Sequence, residues 1–334
     1  MGSGGIRKTL NWLRAILVVA ILSATVGLIA TQVIGLKRSF VIEARSSHLD
    51  LMFLGDLNRW YFGKATICRP AQNPDPRRAA DPSAPCPDNI YDIEESTDYT
   101  LEWPDGSGVR LTLDPEGDLT MEIGQDFLFD GPEAENRHAD NSTASLAPPG
   151  LPEGTLILVP ASAWLKNAAL TFEGRATIGQ NIRSGVTHYL HEGRWEARQT
   201  TPLIWWVRPF TEVIKEGYLH RGVEVTVVDR KRAPVKVFGH VTPFLGDDRP
   251  AFFMVMSISE PGRTELRLGH FGLREPAVVR PDLFDIAGSS AIFVAAIAVL
   301  TILAALTQIL SDLFARSGPG TDKPDPETDT QSQE

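Results

Sequence analysis

Between Arg14 and Lys37 lie twenty-two residues, Ala15 to Leu36, without a charge among them. A helix of that length is roughly 33 Å long, enough for a bilayer core of about 30 Å. A second charge-free run, Ile286 to Ser311, stands near the other end. The pair predicts two transmembrane α-helices flanking one extracytoplasmic segment. The chain then divides into a cytoplasmic N-terminus (1–14), helix 1 (15–36), a first β subdomain (37–129), an exposed joint (130–154), a second β subdomain (155–285), helix 2 (286–311) and a disordered acidic tail (312–334).

The basic start followed by an apolar run also fits a secretory signal. Signal cores usually span about 7–15 residues and end in a small-x-small site. Here the run continues to Leu36, and the best cleavage candidate, after Ala30, has Leu28 where a small residue is wanted. An uncleaved anchor is the better reading. Arg7, Lys8 and Arg14 precede the run and Lys37 and Arg38 follow it, a weak bias toward a cytoplasmic N-terminus. The expected location is the inner membrane of a bacterium, two-pass, with the bulk of the chain in the periplasm.

Within the runs, Ser23, Gly27, Thr31 and Gly35 recur every four residues, as do Ala287, Ala291 and Ala295. Small residues at that spacing let helices approach closely in lipid. They predict a packing seam, either within one chain or in a homo-oligomer. The formal net charge of −10 argues against nucleic acid as a partner. The charge beside the apolar runs is also too sparse to read as a polybasic patch for anionic lipid.

Cys68 and Cys86 are the only cysteines, and they bracket a loop rich in Pro, Asp and Ala. A disulfide closing that loop is expected in an oxidising compartment. Around it the hydrophobic period is two. Tyr99–Trp103, Val109–Leu113 and Leu119–Ile123, separated by Gly-containing turns, predict a three-strand meander with one buried face. Later apolar runs at Thr155–Val159, Leu170–Glu173, Leu203–Val207 and Ala251–Met256 read as core strands. A repeat, Tyr189-Leu-His-Glu-Gly193 and Tyr218-Leu-His-Arg-Gly222, suggests two turns with a left-handed glycine, each feeding a strand. A mainly all-β domain, sandwich or barrel-like, follows.

No nucleophile elbow, zinc helix, phosphate loop or dinucleotide fingerprint is present, so neither catalytic, metal-binding nor cofactor-binding residues are assigned. His188 and His191 would point to opposite faces of a strand and read as structural. Exposed aromatics are the remaining handle: Trp60, Trp205 and Trp206 are candidates for a partner surface. The expected function is a non-enzymatic interaction or scaffold subunit of an inner-membrane assembly. The alternative is a periplasmic ligand sensor acting through a partner membrane protein, because neither terminus has room for an output domain.

Overall fold

The computed structural model describes residues 37–55, 58–124, 147–166, 169–182, 187–201, 210–244, 251–272 and 275–282. It also describes isolated helical positions between 20 and 27 and between 285 and 309. The chain divides into a β unit, Ala30–Ser289, and a second unit made of Met1–Ile29 and Ser290–Glu334.

The β unit is one branched sheet of fifteen strands, paired antiparallel throughout. In chain order these are β1 (Lys37–Ser46), β2 (His48–Phe53), β3 (Arg59–Pro70), β4 (Tyr91–Glu102), β5 (Gly108–Leu113), β6 (Leu119–Ile123) and β7 (Leu156–Val159). After a one-turn helix, α1 (Ala161–Trp164), come β8 (Leu170–Ile178), β9 (Leu190–Thr201), β10 (Phe210–Leu219) and β11 (Glu224–Val228). The last four are β12 (Val237–Phe244), β13 (Phe252–Ser259), β14 (Glu265–Gly269) and β15 (Ala277–Val279). Across the sheet they run β10-β9-β1-β13-β12-β8-β2-β5-β6-β7-β3-β4, and β11, β14 and β15 branch from β8.

Period-two alternation produces this sheet. In β5 and β6 the residues Val109, Leu111, Leu113, Leu119, Met121 and Ile123 point inward, and the Arg, Thr and Glu between them point out. One core cluster joins inward residues from both arms, including Phe40 and Trp195 of the first and Leu49, Leu111 and Ile157 of the second. The arms meet where β1 and β2, separated only by Ser47, belong to different pairings. β1 lies between β9 and β13, and β2 between β5 and β8. A strand that bends and changes partners in this way makes the corner of a folded-over sheet.

Several expectations need correction. Among the described residues no helix is long and apolar enough to cross a membrane, and the fold is mostly antiparallel sheet. That overturns two flanking transmembrane helices as the fold class. The absence of charge sets the length a helix could reach, but not that one continuous spanning helix forms. Most of 15–36 and 286–311, including Thr31, Gly35, Ala287, Ala291 and Ala295, lies outside the described residues, as do 1–14, 125–146 and 312–334.

The two β segments are also not separate subdomains. β7, from the second half, sits between β6 and β3 of the first, and β1 sits between β9 and β13 of the second. The three-strand meander is likewise half right: β5 pairs with β6, but β4 pairs with β3 and β5 with β2. The turn at 104–107 instead hydrogen-bonds to the end of β2, with Gly106 N donating to Phe53 O (2.7 Å). Finally, the repeat is not structural. Gly222 has φ of +76° in a turn, whereas Gly193 is inside β9 opposite Ala44. There an added Cβ would lie 2.7 Å from Glu43 O.

The disulfide is formed. Cys68, in β3, is bonded to Cys86, eighteen residues on. The loop between them is ordered by short-range bonds from Asp75, Asp81 and Asp88. Closing a loop of this size restricts the unfolded chain by about 3 kcal/mol in the chain-entropy account. Paired Cys68→Ser and Cys86→Ser substitution should lower the unfolding free energy by about that amount, read as a shifted denaturant midpoint. A midpoint equal to the wild type would show that the loop is held by its hydrogen bonds alone.

Candidate functional site

The outward side of β10, β9, β1, β13 and β12 is the most unusual surface of the β unit. Residues directly opposite in a ladder share a face, which places Tyr218, Arg194, Glu43, Met256 and His240 in one row. A second row holds Glu216, Glu196, Val41, Ile258 and Phe238. At its flank the face is ionic: Arg194 donates to Glu43 (2.7 Å) and Arg198 to Glu196 (2.7 Å), and Arg45 pairs with Glu192. Beside these pairs, β13 is apolar.

The C-terminal half of β13 reverses the usual pattern of a one-sided antiparallel strand, which Phe253 and Val255, buried on the inward side, still follow. Met256 and Ile258 point outward, 44% and 41% exposed, while Ser257 and Ser259 alternate inward and are buried. The inward serines are explained locally, because Ser259 Oγ accepts a hydrogen bond from Phe40 N (2.9 Å). The outward methionine and isoleucine have no such explanation. Toward the far end of the same face Phe244 stacks on Phe252 (centroids 4.8 Å apart), with the Arg45 guanidinium over both rings. Tyr218, 81% exposed, marks the β10 side.

A second feature is a buried polar node at the β1–β2 corner. Asp50 is 5% exposed and accepts Arg110 Nε at 2.9 Å, with His48 Nε2 at 3.3 Å on its other oxygen. Cross-strand register extends this into a polar row, Arg267–Thr226–Thr177–Asp50–Arg110–Glu122, across β14, β11, β8, β2, β5 and β6. Thr177 Oγ1 and Thr226 Oγ1 hydrogen-bond at 2.9 Å within it.

A His beside an Asp, with two serines just upstream, invites a nucleophile reading. The geometry points the other way. Ser46 Oγ donates to His48 O and accepts from His48 N (2.7 and 3.0 Å). Ser47 Oγ accepts from Tyr189 N (3.0 Å) and donates to Tyr189 O (3.2 Å). Both hydroxyls are spent holding the corner, and His48 Nδ1 has no hydrogen-bond partner among the described residues. Nearby, His188 Nδ1 meets Leu113 O at 3.1 Å. Burial first, and then His48, hold the His188 pKa below its ordinary value. The node joins strands rather than attacking a substrate.

The sequence candidates fall as follows. Trp60 is 2% exposed and belongs to the core, so it offers a partner nothing. Trp205 and Trp206 lie outside the described residues. Ser23 and Gly27 are helical and exposed, and a Cβ added at Gly27 would meet nothing within 4 Å. Burial holds the His191 pKa down, followed by the Arg221 charge, and the ring packs between Tyr189 and Phe252. Among the described residues no group of three or more His, Cys, Asp or Glu could hold a metal.

Met256 and Ile258 were missed because Ala251–Met256 reads as a run buried on both sides. The usable signal was the Met-Ser-Ile-Ser end, whose polar half must lie on one face and apolar half on the other. Comparison of the chain with family models, curated proteins and solved structures finds no match.

Proposed function

We propose that this chain is a non-enzymatic interaction subunit of a bacterial inner-membrane assembly, presenting its β unit to a protein partner in the periplasm. The observation that carries this is the inverted β13, with Met256 and Ile258 outward over buried Ser257 and Ser259. Exposed apolar side chains bordered by charged pairs, here those of β9 and β1, fit a protein interface. The Cys68–Cys86 disulfide supports an oxidising compartment. The buried corner serines, committed to backbone, supply no activated nucleophile.

The test is the double variant Met256→Glu, Ile258→Glu in the full chain, purified in mild detergent beside the wild type. Both sites are outward, so the variant should keep its circular dichroism and its thermal midpoint. It should lose proteins that the wild type retains. A retained set that is unchanged in the variant would sink the reading. If the face instead joined two copies of this chain, the wild type would be a dimer by light scattering and the variant a monomer.

A further inference from the structure

The fold gathers bases that the sequence scatters. β1 begins at Lys37 and Arg38, and Arg38 exchanges two backbone hydrogen bonds with Gly262 (2.8 Å each), placing Arg263 beside it. At the same end, Val228 of β11 faces Glu265 of β14, whose neighbour Leu266 faces Val279 of β15. The turn leaving β11, Arg230-Lys231-Arg232, and the residue after β15, Arg280, therefore converge there. Arg38 and Arg230 are close enough to act on each other: the Arg38 guanidinium is held below its ordinary value first by burial and next by the Arg230 charge.

The acids at this end have partners, among them Glu260, which lies 4.0 Å from Lys236. Asp229 Oδ1 accepts Lys231 N and Ala233 N (2.7 and 2.9 Å), which shapes the turn. Glu265 holds Arg280 at 2.8 Å and Asp285 holds Lys215 at 2.8 Å. Asp282 and Asp285 cap one another's backbone, Asp285 N donating to Asp282 Oδ1 (2.8 Å) and Asp282 N to Asp285 Oδ2 (2.9 Å). Lys37, Arg230, Lys231, Arg232 and Arg263 are all exposed. They have no ion-pair partner among the described residues. In a chain of net charge −10, such a concentration of free cationic side chains is out of character.

We propose that this end of the β unit rests on an anionic phospholipid surface. Connectivity favours lipid over an acidic protein. The chain enters this end directly after the charge-free run 15–36 and leaves it, past Asp285, into the charge-free run 286–311. In sequence, then, the charge-free runs are covalently continuous with the strands that carry these bases, and apolar and basic segments together bind headgroups and acyl boundary. A bilayer is also planar, so it meets this one end. Acids further than a Debye length of about 10 Å from that plane are screened by salt.

The experiment partitions the full chain onto phosphatidylcholine vesicles with and without phosphatidylglycerol, at low and high salt. The wild type should prefer the anionic vesicles, and high salt should abolish the preference. Arg230→Glu with Lys231→Glu and Arg232→Glu should reduce it by more than about ten-fold, since each base near such a surface contributes roughly five-fold. The neutral version, with Gln at the same three positions, should fall between the two and guards against a folding effect of the added acids. A control reverses three exposed bases elsewhere, Arg59→Glu, Lys64→Glu and Arg77→Glu, and should keep most of the preference. Equal binding to both vesicle types overturns the proposal. So does a preference that survives reversal at 230–232, or one that the control loses equally, since net charge alone would then govern binding.

Discussion

Replacing Trp60 with alanine is expected to lower the unfolding free energy of the β unit by about 4 kcal/mol, the range of a fully buried aromatic deletion. Trp60 starts β3, and its ring meets Phe53, Trp103 and Phe62 edge-on at centroid distances of 5.4, 5.3 and 6.5 Å. Phe53 and Trp103 stack on each other at 4.8 Å, so the cluster cannot close over the hole without breaking that stack. The indole has a second task. Its Nε1 donates to Thr171 O at 2.7 Å, and Asn58 Oδ1 accepts from Glu173 N at 2.9 Å. These side chains tie Asn58 and the start of β3 to Thr171 and Glu173 of β8, beyond the β2–β8 ladder that ends at Gly174. Trp60→Phe keeps most of the ring but loses the hydrogen bond, and should cost about 1–2 kcal/mol. The measurement is the denaturant midpoint of each variant. An alanine variant within about 1 kcal/mol of the wild type would show that the cluster repacks freely.

Gly174→Val should be comparably damaging, about 4 kcal/mol or loss of the folded β unit. Gly174 is where β8 has a strand on either side. It pairs with Val237 of β12 on one side and Phe53 of β2 on the other. A Cβ there would lie 2.2 Å from Met52 O, a backbone atom fixed by the β2–β5 and β2–β8 ladders. No side chain can move to make room. Gly174→Ala should already show most of the loss, because the first carbon makes the clash. If alanine were tolerated and only valine were not, crowding further out on the face would be the cause. Far-ultraviolet circular dichroism against denaturant separates these outcomes.

The sequence disclosed local chemistry well and long-range pairing poorly. Alternation of Leu with Thr and Glu was enough to find β5 and β6 and to orient them. The Pro-, Asp- and Ala-rich loop bracketed by Cys68 and Cys86, read with an oxidising compartment, led to the expectation of their bond. Strand neighbours were not legible, because nothing in Tyr99–Trp103 says that it pairs with β3 instead of β5. That choice is made by the burial of Trp60, Phe62 and Ile67 on β3, a property of the assembled core. The interaction face was hidden for a similar reason. Met256 and Ile258 are as apolar as core residues, and only the fold shows that Ser259 is needed inside, where it meets Phe40. The cationic end is the clearest case. The bases beside the apolar runs were too few to suggest a lipid patch, but the β11 turn and the segments flanking β14 and β15 bring others to the same place.

The interleaving of the two halves bears on how this molecule must be made. Phe40 N and Ser259 Oγ, hydrogen-bonded between the adjacent strands β1 and β13, are 219 positions apart, and both neighbours of β1 come from the second half. At synthesis rates of about 5–20 residues per second, the opening strand waits roughly 10–40 s for its partners. Through that interval its inward Phe40, Ile42 and Ala44 and both of its edges are uncovered. Closing so many distant pairs is intrinsically slow and exposes sticky edges to other chains. The edges of β1 are therefore closed only after the strands on both of its sides, β9 and β13, have been made.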